Sequence, residues 1–90
     1  MQIIEAEKKA FTEFSKEQLD TLEKAIQLVD GNAFVSKVDY AKGEIKVGIV
    51  HNKGTEHEFA NDDLLTVNVA TDSVPAAFYD VFTRAYERLI

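Results

Sequence analysis

The residues that could support chemistry are concentrated in VGIVHNKGTEHEF, residues 47–59, which holds both histidines of the chain. His51 and His57, with Glu56 and Glu58, are potential zinc or transition-metal ligands. In the hairpin predicted below, the two histidines share one face and the glutamates the other, so the four groups cannot converge. We therefore predict no metal site and no cofactor, and a small metal-binding protein using His51 and His57 is an alternative.

Other reactive groups occupy positions that favour structural roles. Asp62 and Asp63 are adjacent, but in a polar turn where solvent surrounds both carboxylates. Ser15 and Ser73 fall at predicted helix starts and Ser36 in a predicted strand, and none lies in a nucleophile elbow. The glycines are too far apart for a phosphate-binding loop. We predict a non-enzymatic protein with no catalytic residue and no identifiable small-molecule substrate.

Length and composition predict a single α+β domain over residues 1–90. Apolar residues make up 46% of the chain, enough for one core, and there is no cysteine to form disulfides. The start, MQIIEAEKKAF, lacks the apolar segment of a signal peptide, and no apolar run approaches the ~20 residues of a membrane span. We therefore expect a cytoplasmic protein that does not associate with membranes.

The charge balance does not favour nucleic acid as a direct partner. The net charge is −6, and of the 10 basic residues only Lys8 and Lys9 are adjacent. Binding to a phosphate backbone requires clustered cations that displace counterions. Mimicry of nucleic acid by the acidic surface is an alternative.

Two helices are predicted before the strands. Residues 3–13 carry apolar side chains at helical spacing, although their opening, QIIEAE, could instead be an edge strand. These apolar side chains are Ile3, Ala6, Ala10, Phe11 and Phe14. The second helix begins after Ser15, which forms a capping box with Gln18, and it ends where Gly31 suits the left-handed conformation.

From Ala33 the apolar period changes to two, which indicates strands. We predict strands over residues 34–40 and 45–51, with Tyr40 opposite Ile45. This register places one set of side chains on the apolar face. They are Phe34, Val38, Tyr40, Ile45, Val47, Ile49 and, from the next strand, Phe59.

A three-residue loop is predicted to join the second and third strands. Asn52 and Lys53 would occupy the centre of a type I turn and Gly54 the left-handed position, which pairs Ile49 with His57. A second turn is predicted at residues 61–63. A short fourth strand then contains Leu65, Val67 and Val69.

The last helix is predicted from Val74 to near Ile90, with Pro75 in its first turn. Its apolar residues cover about 180° of the helix, more than a helix packed on one sheet requires. The surplus edge, Tyr79, Tyr86 and Ile90, has two explanations. It could pack against the N-terminal helix, or it could bind a partner.

The predicted fold is a two-layer α+β structure. It has an antiparallel meander of three or four strands with helices on one face, in the order α-α-β-β-β-(β)-α. Over residues 16–90, this order resembles the topology of the double-stranded-RNA-binding domain. That family uses a lysine-rich start of its final helix to bind phosphates, whereas TDSVPAAFYD has no cation before Arg84. A nucleic-acid-related role is therefore an alternative only.

The wide apolar arc of the last helix suggests the function. We expect a small acidic protein that acts through protein–protein contacts, as a homodimer or as an accessory factor of a bacterial or phage system. The predicted partner-binding residues are Tyr79, Tyr86 and Ile90.

Overall fold

The computed structural model describes residues 1–5, 7–9, 11–69 and 71–90. The elements in these residues are β1 (Gln2–Ile4), α1 (Lys16–Val29), β2 (Ala33–Asp39), β3 (Glu44–His51), β4 (Phe59–Asn68) and α2 (Val74–Leu89). The strands form one sheet in the order β1-β2-β3-β4, in which β1 is parallel to β2 and the other pairs are antiparallel. The α+β class is confirmed, whereas the prediction of a purely antiparallel sheet is wrong.

The start of the chain is the edge strand β1. Its backbone pairs with β2 from Gln2 opposite Lys37 to Ile4 opposite Asp39, and the Tyr40 N–H donates to the Ile4 carbonyl at 3.1 Å. The helix predicted over residues 3–13 is therefore wrong, and the edge-strand alternative is correct. The open edge of β2 is a distant partner that local periodicity cannot reveal. The predicted helical positions 6 and 10 lie outside the described residues.

Helix α1 starts as its sequence predicts. The Ser15 hydroxyl accepts from the Gln18 N–H at 3.1 Å, and the Gln18 side chain accepts from the Ser15 N–H at 2.8 Å, which completes the capping box. Gly31, however, does not adopt a left-handed conformation. Instead, the Asp30 carboxylate accepts a hydrogen bond from the Asn32 N–H at 3.0 Å. This bond stabilises the turn without a left-handed residue.

Side chains of α1 also cover the part of the β2 edge that β1 does not reach. Glu23 accepts a hydrogen bond from the Val35 N–H at 2.8 Å, and Gln27 donates to the Ala33 carbonyl at 3.1 Å. Glu23 and Gln27 are one helical turn apart, so a single face of α1 meets both groups. These backbone groups of the β2 edge therefore have hydrogen-bond partners within the chain and are not free to pair with a strand of another chain.

The register of β2 and β3 differs from the prediction. Val38, rather than Tyr40, lies opposite Ile45, and a bulge interrupts the pairing between Val35 and Lys37. A bulge adds one residue to its strand and so reverses which side chains face the core. Ala33 and Val35 are buried accordingly, and Phe34 lies on the open face, the side of the sheet away from the helices.

Strand β4 is one long strand rather than two short strands separated by a turn. Leu65 lies opposite Val47 and Asn61 opposite Ile49, so residues 62–64 bulge where β3 contributes only Gly48. The turn predicted at residues 61–63 is therefore wrong. The polar residues there form a bulge and not a turn, since β4 pairs with β3 on both sides of them.

The loop between β3 and β4 covers residues 52–58 and is longer than predicted. Gly54 is left-handed, with φ 81°, as predicted. Asn52 has φ 55°, which excludes the predicted type I turn centred on Asn52 and Lys53. His51 consequently pairs with Phe59, and the predicted pairing of Ile49 with His57 is wrong because Ile49 lies opposite Asn61.

Helix α2 begins as predicted, with Ser73 accepting from the Ala76 N–H at 3.3 Å and Pro75 in the first turn. It packs against α1 and β4, and the two helices and the sheet enclose one core. The core consists of Phe11, Phe14, Leu19, Leu22, Ile26, Ala33, Val35, Val38, Tyr40, Ile45, Val47, Val67, Val69, Ala77, Val81 and Ala85. No helix in the described ranges is long and apolar enough to span a bilayer.

We expect Gly48→Ala to reduce the free energy of unfolding by about 1–3 kcal/mol, the usual cost of overpacking. A Cβ atom at Gly48 would lie 2.6 Å from the Asn61 carbonyl oxygen and 2.6 Å from the Phe34 ring. Urea denaturation followed by circular dichroism measures the change. Gly31→Ala is the matched control, because a Cβ there meets nothing within 4 Å. An equal effect of the two substitutions would contradict the close packing at Gly48.

Tyr40 should make stability depend on alkaline pH. Burial raises the pKa of its hydroxyl above the ordinary value of 10.0, while the Phe14 N–H, which donates to that oxygen at 2.9 Å, partly lowers it. Because the folded state holds this proton more tightly, the contribution of Tyr40 is complete below pH 10 and is lost as the pH rises through the folded-state pKa.

The measurement is the unfolding free energy of the wild type and of Tyr40→Phe across this alkaline range. Near neutral pH, Tyr40→Phe should cost about 1–3 kcal/mol, since it leaves the buried Phe14 N–H without an acceptor. Above pH 10 the difference between the two proteins should shrink. A difference that stays constant with pH would show that Tyr40 does not carry the effect.

Candidate functional site

Helix α2 carries an exposed apolar stripe formed by Tyr79, Phe82, Tyr86 and Ile90. Tyr79 is 69% exposed, Tyr86 49% and Ile90 75%, and the rings of Phe82 and Tyr86 lie 6.3 Å apart. Their spacing of three or four residues places them along one side of the helix. The core-facing side of α2 is different, because it buries Ala77, Val81 and Ala85.

The predicted N-terminal helix does not cover this stripe. The start of the chain forms β1 at one edge of the sheet, whereas α2 packs against β4 at the opposite edge. Of the two explanations for the surplus apolar arc, packing against an N-terminal helix is therefore wrong. The stripe is an accessible apolar surface.

The charges beside the stripe balance. Asp80, Arg84, Glu87 and Arg88 are all exposed and are the charged residues of α2. Two acids and two bases leave this helix neutral, although the chain as a whole carries a charge of −6. The charged residues of α2 therefore add little net electrostatic attraction or repulsion for a protein surface that approaches the stripe.

A second candidate site, the open-face cleft, lies on the other side of the sheet. It has a volume of about 420 Å³. Its walls come from β1, β2, β3 and the β4 bulge: Met1, Gln2, Phe34, Ser36, Lys37, Lys46, Asp62 and Asp63. Volumes of this size are typical of sites for small molecules.

The Ser36 hydroxyl holds the cleft in shape. It lies within hydrogen-bonding distance of the Asp62 carbonyl, at 2.6 Å, and of the Lys46 carbonyl, at 3.2 Å. Ser36 is the residue of the β2 bulge and Asp62 belongs to the β4 bulge. The hydroxyl thus connects β2 to β4 across β3. Asp63 also lies 3.5 Å from the Lys46 ammonium group and forms an ion pair with it.

The two histidines have different neighbours. His51 stacks on Phe59, with 4.7 Å between ring centroids, at the end of β3. His57 is in the loop, where its side chain is 80% exposed and lies 3.5 Å from the carboxylate of Glu56. Glu58 is also exposed in that loop. The described part of the chain contains no group of three or more His, Cys, Asp or Glu side chains able to hold a metal ion.

The sequence reasoning missed the open-face cleft, although one signal was available. Gly48 is a glycine inside a strand, a pattern that often marks a bulge or a close approach of another backbone segment. The predicted surface residues Tyr79, Tyr86 and Ile90 are exposed, as a contact surface requires. Asp62 and Asp63, for which the sequence predicts a polar turn, lie at the cleft.

Comparisons with protein-family models, with curated proteins and with solved structures found no match. The order of α1, β2, β3, β4 and α2 is the one that resembles the double-stranded-RNA-binding domain. The first three turns of α2 nevertheless contain no basic residue before Arg84 to contact phosphate.

We expect Ser36→Ala to lower the free energy of unfolding by about 0.5–1.5 kcal/mol, because one hydroxyl hydrogen bond between the two bulges is lost. Ser36→Thr keeps the hydroxyl and serves as the matched variant. Urea denaturation gives the stability. Amide hydrogen exchange should report faster opening at residues 61–64 in the alanine variant. Unchanged exchange there would show that the hydroxyl does not hold the β4 bulge.

Proposed function

We propose that this is a non-enzymatic binding protein that forms a homodimer through the apolar stripe of α2. The observation that carries the proposal is the exposure of Tyr79, Tyr86 and Ile90 on one side of that helix. Fully burying a side chain of this kind is worth about 1.5–3 kcal/mol. Tyrosine and phenylalanine are also enriched at the centres of protein interfaces.

The size of the stripe supports a weak, reversible dimer. An aromatic side chain buries 150–250 Å², so the exposed fractions of Tyr79, Tyr86 and Ile90 together amount to roughly 300–400 Å² of surface. Exposed patches of this size are often functional on monomeric proteins. They are smaller than the ~800 Å² per partner of a stable complex, so we expect association through the stripe alone to be weak.

The spacing of the stripe supports a second copy of the chain as the occupant. Tyr79 and Tyr86 are seven residues apart, with Phe82 near the midpoint. If two α2 helices cross antiparallel at Phe82, Tyr79 of each copy meets Tyr86 of the other. This arrangement is the isologous contact that a two-fold dimer requires. The balanced charges of α2 allow it in spite of the net charge of −6.

We expect the protein to sediment near the 10.1 kDa of one chain at low micromolar concentration and near twice that mass at high concentration. Tyr86→Glu should hold it at the monomer mass throughout, because each dimer would bury two carboxylates in its apolar centre. Analytical ultracentrifugation over a concentration series measures both proteins.

Leu28→Glu is the matched control for the ultracentrifugation. Leu28 is 89% exposed on α1, outside the stripe, so its replacement should leave the dimer unchanged. A wild type that remains monomeric at every concentration would overturn the homodimer. Equal dissociation of the two variants would show that the added charge, rather than the stripe, controls association.

A further inference from the structure

Two lysines of the open-face cleft are unlike the other basic residues of the chain. Lys37 and Lys46 are partly buried, whereas every other lysine and arginine in the described structure is exposed. They occupy directly opposite positions on β2 and β3. Two partly buried lysines of an acidic protein therefore lie side by side on the open face of the sheet.

Two aspartates, Asp62 and Asp63, also line the cleft and balance the formal charge of the two lysines, but the ion pairing within the cleft is uneven. Like charges directly opposite each other on neighbouring strands destabilise a sheet. Asp63, 3.5 Å away, neutralises Lys46, but its side chain is 66% exposed, so solvent weakens this pair. Lys37 forms no ion pair with any residue that the structure describes. An anion between the two ammonium groups would relieve their repulsion.

The cleft also offers an apolar surface next to these charges. Phe34 lines it, half-buried, with its ring over Gly48, where no side chain intervenes. The volume of about 420 Å³ exceeds what a bare inorganic ion fills. Cationic groups beside an aromatic wall suit a molecule that carries both an acid and a flat apolar body.

We propose that the open-face cleft binds a small organic anion, a phosphate or carboxylate group attached to a flat apolar body. The acid lies between the ammonium groups of Lys37 and Lys46, and the apolar body packs against Phe34. Ser36 shapes the cleft by holding the β4 bulge in place. This site is separate from the α2 stripe and does not rest on the homodimer.

The test is a titration of the full chain with phenyl phosphate and, in a parallel series, with benzoate, followed by ¹H–¹⁵N NMR. Saturable shifts should concentrate at the amides of Phe34, Lys37 and Lys46. The series that saturates at lower concentration identifies the acid as phosphate or carboxylate. Inorganic phosphate alone should bind more weakly than phenyl phosphate, since it lacks the ring that meets Phe34.

Lys37→Gln should weaken the binding of the preferred probe at least about tenfold, the equivalent of one lost charge-assisted hydrogen bond. Lys53→Gln is the matched control, because it removes the same charge from the exposed loop between β3 and β4. Asp63→Asn should strengthen binding, since it frees Lys46 from its present partner. A gain of affinity cannot result from misfolding.

Three results would each overturn the proposal. The first is the absence of saturable shifts with both probes, in which case the lysines only extend their ammonium groups into solvent. The second is an equal loss of binding in Lys37→Gln and Lys53→Gln, which would indicate nonspecific attraction. The third is inorganic phosphate binding as tightly as phenyl phosphate, which would remove the role of Phe34.

Discussion

The structure depends on the close approach of three strands, β2, β3 and β4, at Gly48. On the open face, the Asn61 carbonyl of β4 and the ring of Phe34 from β2 both occupy the space that a side chain of this residue would fill. β4 can lean over β3 only at a position without a Cβ atom. The bulge at residues 62–64 lies opposite that position, and the Ser36 hydroxyl connects it to β2.

The arrangement of the core follows from this contact. With Phe34 on the open face, the β2 bulge places Val35 opposite Val47 inside, and both are fully buried. Without the bulge, the alternation of the strand would turn Phe34 toward the helices in place of its smaller neighbours Ala33 and Val35. The same shift directs the Val35 N–H outward to the edge of the sheet, where Glu23 of α1 accepts its hydrogen bond. The bulge thus determines the core and also one contact that fixes α1.

Local signals in the sequence identified α1, α2 and the approximate positions of β2 and β3. The Ser15–Gln18 capping box and Pro75 act within one turn of chain, so their effect can be predicted from neighbouring residues. The parallel pairing of β1 with β2, the register and the two bulges were not predicted because each depends on a distant partner. Gly48 signals a close approach without showing which segment approaches.

The same distinction applies to the two candidate sites. The stripe lies on one helix, so its spacing could be predicted from the sequence, while its exposure depended on where the start of the chain folds. The cleft collects side chains from several strands and one bulge. Lys37 and Lys46 are far apart in the sequence and become neighbours only in the observed register, so the sequence alone does not pair them.

The position of β4 relates these two surfaces. One face of β4 packs with α2, and its bulge forms a wall of the cleft on the other face. A second copy bound at α2 would lie on the helical side of the sheet and leave both clefts open to solvent. Because Leu65, which packs against the core, is the residue where pairing resumes after the bulge, the two surfaces share one strand. None of the described residues that line the cleft belongs to α2, so β4 is the element that contributes to the cleft and also packs against α2.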